Sequence, residues 1–421
     1  MQNAGDEIEG PSDPSAPMTA PAPAPMPASI PTPRATPGCT QPQGREHATT
    51  AHIEDTGSGR IVLVAPRNTR FSPESATSID LYIHEIARQS RLASRITVFA
   101  QRTEHPFEDV DLRSWVGRAD RRTLASEIAE TNPALVVVHQ HLPTAAHLGR
   151  AFPDLPVALV RHNFVKAPRH LLSAWAKRRQ IAELSGLAFV SECCREVFER
   201  EWPQSAGRTG WPDLFVTPNG IDQGLWRPGP KARRLLFVGR LAPEKGVLEA
   251  AEAVGRVLPA HPDWEALFIL DAKSAEPRYR NRTIAAIEAA GPHVRLMTNL
   301  PHDAVRAEMA AAAIAIAPTQ NTEPFGRVAV EALASGCALV AARAGGFIEI
   351  AGDTAGVLLE TPSTENIALA LKQLMADPDR VAALGRAGRE RVVATYSLDA
   401  AAAAFDAMAA ALIGSAQKRV A

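Results

Sequence analysis

Lysine is scarce in this chain: seven in 421 residues, against 38 arginines. A lysine inside a motif therefore stands out from the background. Net charge is equally lacking, with 45 basic against 46 acidic residues. That balance argues against a general nucleic-acid binder while leaving room for a local basic patch. There are four cysteines, Cys39, Cys193, Cys194 and Cys337. Two are adjacent and none has zinc-like spacing, so the expectation is free thiols in a reducing cytoplasm. No apolar run reaches the ~18 residues that a membrane-spanning helix needs. The N-terminus has no basic segment followed by an apolar core, so no secretory signal is expected. A G-x-G-x-x-G turn is also missing after the first apolar strand, where Ala65-Pro66-Arg67-Asn68 stands instead. This speaks against a dinucleotide-dependent dehydrogenase.

What is present has the make-up of a globular α/β protein. The chain is long enough for two domains, each with its own core. Alanine richness and the arginine bias read as a GC-rich bacterial genome. Eleven of the 34 prolines fall before residue 45. Such a segment buries too little apolar surface to offset its ordering entropy, so residues 1–59 are expected to be a disordered Pro/Ala-rich tail. An inert tail is the reading taken; a partner-docking arm is the alternative. Apolar strands are expected at Ile61–Pro66, Ile96–Ala100, Leu135–His139, Val157–Val160 and Ala188–Ser191. A second set is expected at Arg234–Val238, Ala266–Leu270, Val294–Met297, Ile314–Ala317 and Ala338–Ala342. Their alternation with helical patterns implies parallel βαβ units. The Asn219-Gly220 turn, followed by Pro228 and Pro230, marks a boundary. The expected domains are 60–228 and 229–395, with a terminal helical region over 396–421.

Two segments carry chemistry. In Glu323-Pro324-Phe325-Gly326-Arg327-Val328-Ala329-Val330-Glu331, two carboxylates stand eight residues apart, one in a loop and one in the helix after it. The helix start presents unpaired N–H groups suited to a diphosphate, and Glu331 can accept hydrogen bonds from a ribose. Upstream, Val238-Gly239-Arg240 ends a strand, and Lys245 follows beside another helix start. In open α/β sheets ligands bind at the strands' C-terminal ends, and two cations there match a diphosphate leaving group. The plain alternatives are a solvated loop acid for Glu323, an exposed helix residue for Glu331, and surface cations for Arg240 and Lys245.

Together these segments resemble the family-four retaining glycosyltransferases, or glycosyl transferases group 1. The resemblance runs from about Ile61 to the C-terminus and includes Pro218-Asn219-Gly220-Ile221-Asp222 and Ala344-Gly345-Gly346-Phe347-Ile348-Glu349. It implies a GT-B fold, with two Rossmann-like domains facing across a cleft: the second holds a nucleoside-diphosphate sugar and the first receives the acceptor. It implies transfer of a hexosyl unit with retention of configuration. Arg240 and Lys245 would stabilise the diphosphate, Glu323 would position the sugar, and Glu331 would hold the ribose. Gly239 and the backbone around Pro324, Phe325 and Gly326 would touch the donor, and His162 would lie near the reacting face. It also implies a last helix crossing back onto the first domain. No cofactor or metal is expected, since no Asp-x-Asp stands in a suitable loop. His139 and His141 lack an obvious third ligand and read as structural.

The loop Phe71-Ser72-Pro73-Glu74-Ser75-Ala76 departs from the family, which often has a glycine-rich loop there. Its hydroxyls remain candidates for acceptor contact. Leu270-Asp271-Ala272-Lys273-Ser274 departs likewise, with Lys273 either a phosphate contact or a surface lysine. The stretch Lys166–Arg179 is basic, with Leu171, Leu172 and Trp175 on one helical face. It reads as a packed helix with a solvated basic edge, the alternative being an interfacial helix on anionic lipid. The expected acceptor is a glycan or lipid-linked glycan of cell-surface polysaccharide or lipopolysaccharide synthesis. The expected location is the cytoplasm, with peripheral contact at the inner face of the plasma membrane kept among the partners. The alternatives are another GT-B enzyme such as a sugar-nucleotide epimerase, and a non-catalytic sugar-nucleotide-binding protein.

Overall fold

The computed structural model describes residues 58–420, apart from 68, 116–120, 204–209 and 274. The tail expected over residues 1–59 falls outside them, save its last two residues. The first sheet is built from β1 (Arg60–Val64), β2 (Ile96–Gln101), β3 (Leu112–Trp115), β4 (Pro133–His139), β5 (Val157–Arg161), β6 (Gly186–Phe189) and β7 (Asp213–Val216). The second uses β8 (Ala232–Arg240), β9 (Glu265–Asp271), β10 (Val294–Thr298), β11 (Ala312–Ala317), β12 (Ala338–Ala342) and β13 (Gly356–Leu359). The strand orders are β3-β2-β1-β4-β5-β6-β7 and β10-β9-β8-β11-β12-β13. Every pairing is parallel. The central strands are continuous apolar runs because helices cover both faces of each sheet.

The first domain's helices are α1 (Ser78–Gln89), α2 (Arg121–Ala129), α3 (Leu142–Ala151), α4 (Leu171–Ile181) and α5 (Glu192–Glu201). The second carries α6 (Val247–Val257), α7 (Pro277–Ala289), α8 (His302–Ala311), α9 (Arg327–Ala334), α10 (Gly346–Ala351), α11 (Thr364–Met375) and α12 (Pro378–Thr395). Helix α1 starts on a full capping box, in which Thr77 and Asp80 satisfy each other's backbone N–H. Strand order reverses between β1 and β4 in one sheet and between β8 and β11 in the other. Those switch points leave crevices at the strands' C-terminal ends, where the loops after β4, β8 and β11 emerge.

The final helix, α13 (Leu398–Val420), packs on α1 and β4. Its Phe405, Met408, Leu412 and Ile413 lie in one apolar cluster with Ile61, Leu63 and Ile83. Buried Asp406 accepts from the Ser90 hydroxyl at 2.5 Å and the Arg91 amide at 3.0 Å. Among the described residues α13 has the length and apolar composition to cross a membrane. Its apolar side is instead part of the first domain's core. The chain passes between the domains twice at one place. The Ile221 amide donates to the Tyr396 carbonyl at 2.8 Å, and the Leu398 amide donates to the Ile221 carbonyl at 3.1 Å.

Two local expectations are corrected. Helix α4 does not pack through its large apolar residues: only Ile181 is buried, and Leu171, Leu172 and Trp175 face outward. Ser72, expected to be open to an acceptor, is buried in its own turn, its hydroxyl accepting from the Glu74 amide at 3.4 Å.

Candidate donor and reaction site

The loop after β8 folds back on the loop after β11. The Thr319 hydroxyl and the Gln320 amide both donate to the Glu244 carbonyl, at 2.8 and 2.9 Å. This stacking brings Lys245 Nζ to 2.8 Å from Glu323 Oε2. Both side chains are largely shielded, 27% and 17% exposed, while still open to the crevice. Arg240 differs: its side chain is 61% exposed and pairs with Glu244 at 2.9 Å. The two cations expected to act together are thus divided, Lys245 on Glu323 and Arg240 at the rim.

Glycines let the Glu323 loop lie flat against the turn that opens α10. Gly345 has φ of 58°, and a Cβ there would sit 2.0 Å from the Glu323 carbonyl oxygen. Gly326 has φ of 103°, and a Cβ there would strike the Phe347 ring at 2.3 Å. Both positions need glycine for backbone shape and for space. The Gly346 amide then donates to the Glu323 carbonyl at 2.8 Å. Phe325 is buried against Tyr396, edge to face at 5.6 Å, so its side chain anchors the loop rather than lining the crevice. Pro324 is partly buried beside it. Gly326 caps α9 without any side-chain acceptor, leaving first-turn N–H groups at the crevice as an anion-binding feature.

Glu331 is buried, 8% exposed, and accepts from Arg327 Nε at 3.0 Å. The same guanidinium forks onto Glu85 of α1, with contacts of 2.7 and 3.2 Å. Burial pushes the Glu331 carboxyl above the usual range despite the opposing pull of Arg327, and Glu85 adds to the rise. The neighbouring carboxylates hold Arg327 firmly charged. This Glu85–Arg327–Glu331 chain joins the domains; Arg327 and Glu331 stand in the motif read from sequence, while Glu85 carries no motif that would mark it. A second tie runs through the N-terminus of α5. The Glu192 and Cys193 amides donate to Glu349 at 3.0 and 2.5 Å, and the Ser191 hydroxyl donates to the Pro324 carbonyl at 2.5 Å. Burial raises Glu349 to about 7, offset in part by those amides. Phe325 and Phe347 also share one apolar cluster with Val190 and Cys194 of the first domain.

In the first domain, His162 follows β5 and its Nε2 lies 3.2 Å from Nδ1 of His139. The ring of Tyr82 meets His162 edge-on at 5.2 Å. Burial, with Arg161 alongside, lowers His162 to about 3, and burial with His162 nearby holds His139 well below the ordinary histidine value. Both rings are neutral at neutral pH, so one donates to the other. His139 Nε2 and Asn219 Oδ1 are buried without partners. His141 turns away to Thr144 at 2.7 Å, and Lys273 is exposed. Among the described residues no three metal-ligating side chains come together.

Residues 226–391 match the family model described as glycosyl transferases group 1. The chain is 27% identical over 385 residues to alpha-maltose-1-phosphate synthase of Mycolicibacterium smegmatis, covering 79% of this chain and 95% of that one. It is 31% identical over 289 residues to glycogen synthase of Mycobacterium tuberculosis, covering 64% and 67%. Among solved structures it is similar to HepE of Anabaena in complex with UDP, with a TM-score of 0.67 and 18% identity. That likeness covers 85% of this chain and all of the other, and it makes the architecture GT-B.

Proposed function

The chain belongs to the group 1 glycosyl transferases, and from that premise we propose that it moves a hexosyl unit from a nucleoside-diphosphate sugar to a glycan or lipid-linked acceptor, with retention of configuration. One observation carries this reading: Lys245 sits 2.8 Å from Glu323 at the mouth of α9, where cation, carboxylate and free helix amides converge.

In this reading the diphosphate lies on the α9 amides with Lys245 beside it, and Arg240 swings in from the rim. Lys245 neutralises charge that builds on the leaving phosphate. Glu323 accepts hydrogen bonds from the sugar, and Glu331 accepts from the ribose. His162, being neutral, orients the sugar as a hydrogen-bonding group. The C1–O bond to the phosphate breaks as a C1–O bond to the acceptor forms on the same face. The acceptor's proton passes to the departing phosphate oxygen. Domain closure excludes water and so limits donor hydrolysis. The two relatives' names concern maltose 1-phosphate and glycogen, which supports a sugar or glucan acceptor. The narrower assignment to cell-surface polysaccharide or lipopolysaccharide rests on composition and the family resemblance, and the cytoplasmic location on cysteine usage and the N-terminal sequence.

The test is thermal stabilisation of the protein by UDP, GDP, ADP and NAD, in wild type, Lys245→Ala and Glu323→Gln. Ligand at about 100 times its Kd adds roughly 2.7 kcal/mol to stability by mass action. One nucleoside diphosphate is expected to stabilise wild type, and Lys245→Ala is expected to lose most of that effect. Glu323→Gln should keep diphosphate binding but lose on the order of 100-fold in transfer. No shift with any nucleoside diphosphate would overturn the reading.

A further inference from the structure

One helix carries its large apolar residues outward. In α4, Leu171 is 87% exposed, Leu172 83% and Trp175 58%. Leu171 and Trp175 are one turn apart and share a face, with Leu172 beside them. Single exposed leucines are ordinary, but three adjacent large apolar side chains mark a contact surface. The helix has eleven residues, buries one, and makes no side-chain cap at His170. Helices that short draw their stability from a packed face, and α4 offers its own to the outside.

Along the segment itself the charge has one sign, the neighbouring carboxylate being Glu201, which accepts from the Ala167 amide at 3.2 Å and lines the cavity beside the helix. From 166 to 182 the chain carries Lys166, Arg169, Lys177, Arg178 and Arg179 and no acidic residue, in a protein of net charge −1. Lys166, Arg169 and Arg179 are exposed. Lys177 donates to the Lys166 carbonyl at 2.8 Å, tying the preceding loop to the helix, and Arg179 lies 4.9 Å from the centre of the Trp175 ring. Next to the helix, Trp175, Trp202 and Trp211 line a cavity of about 320 Å³.

We propose that α4 and the loop before it dock on an anionic phospholipid bilayer. The helix lies in the membrane plane, with Leu171, Leu172 and Trp175 at the acyl boundary and the cations among the phosphates. An apolar wedge ringed by positive charge complements a surface that is negative outside and apolar beneath. The proposal goes beyond the transferase reading and stands without it. Because α4 follows the His162 segment, docking turns that end of the first domain toward the lipid.

The test is co-sedimentation of the full chain with vesicles of phosphatidylcholine alone, and of phosphatidylcholine with about one third phosphatidylglycerol. Binding to the anionic vesicles is expected, with a blue shift of tryptophan emission. It should weaken about tenfold on neutral vesicles and again at about 0.5 M salt. Leu171→Ser/Leu172→Ser/Trp175→Ser and, separately, Arg169→Glu/Arg179→Glu should each lose about tenfold in binding. Both should keep the wild-type melting temperature and the nucleotide stabilisation measured without vesicles. No binding to anionic vesicles, equal binding to neutral ones, or equal binding by both variants overturns the proposal. So does self-association in light scattering that the triple variant abolishes while vesicles recover no protein, since the face then meets a second copy of this chain.

Discussion

His162 and Arg327 show two opposite ways in which burial treats charge. His162 is kept neutral: its folded value of about 3 lies below the 6.5 of an ordinary histidine. A depressed base contributes stability that is whole above about 6.5 and is lost as pH falls toward 3. Melting temperature should therefore drop between pH 7 and pH 4.5, and His162→Gln should drop less steeply over that range. Equal slopes would remove His162 from this role. Arg327 is kept charged by Glu85 and Glu331. Removing it leaves two carboxylates in a shielded place, so Arg327→Met should cost about 3 kcal/mol in urea unfolding. A loss near that of a surface substitution would contradict the description of a shielded triad. Sequence spacing was enough to bring Glu323 and Lys245 under suspicion, because a lysine is rare here and the two motifs come in order. It placed Arg240 with them, yet a neighbouring carboxylate, Glu244, holds that guanidinium at the rim. Glu85 was beyond reach, since its meeting with Arg327 spans 242 residues and no local pattern records it.

At the scale of elements, the strands legible in sequence were, apart from the half-covered edge strand β10, those buried on both faces. Expected and observed ranges differ there by a residue or two at either end, and Ala338–Ala342 coincides. The strands that escaped notice were β3, β7 and β13. All three are sheet edges, and Leu112–Trp115, Asp213–Val216 and Gly356–Leu359 are only partly covered. A half-covered four-residue strand has no continuous apolar run to betray it. Helix α4 misled for the converse reason: its apolar residues have helical spacing, and spacing does not say which side faces the core. The N-terminus of α5 supports a sharper prediction. Its acceptor, Glu349, is raised to about 7, above the ordinary 4.5. A raised carboxyl contributes stability that is present below about 4.5 and is lost as pH climbs through 7. The amide of Glu349→Gln cannot titrate, so wild type should lose ground to that variant between pH 5 and pH 8 in denaturant midpoints. A constant gap would show that Glu349 does not change charge there.

Across the whole molecule, the last helix completes the first domain. Phe405, Met408, Leu412 and Ile413 are nearly or fully inaccessible among residues of β1 and α1. Each such side chain contributes roughly 1.5–3 kcal/mol by burial, comparable in sum to the whole stability of a typical domain. A chain ending at Tyr396 should lose its soluble yield, and a soluble, nucleotide-binding truncation would disprove this account of the core. There is also a consequence in time. Synthesis runs from the N-terminus, and domains usually settle as they emerge from the ribosome. Here the first half made must wait for the last two dozen residues before its hydrophobic interior can close. Until then one face of its sheet is covered only in part, by α1, and a stalled or shortened product presents the rest to the cell's chaperones and proteases.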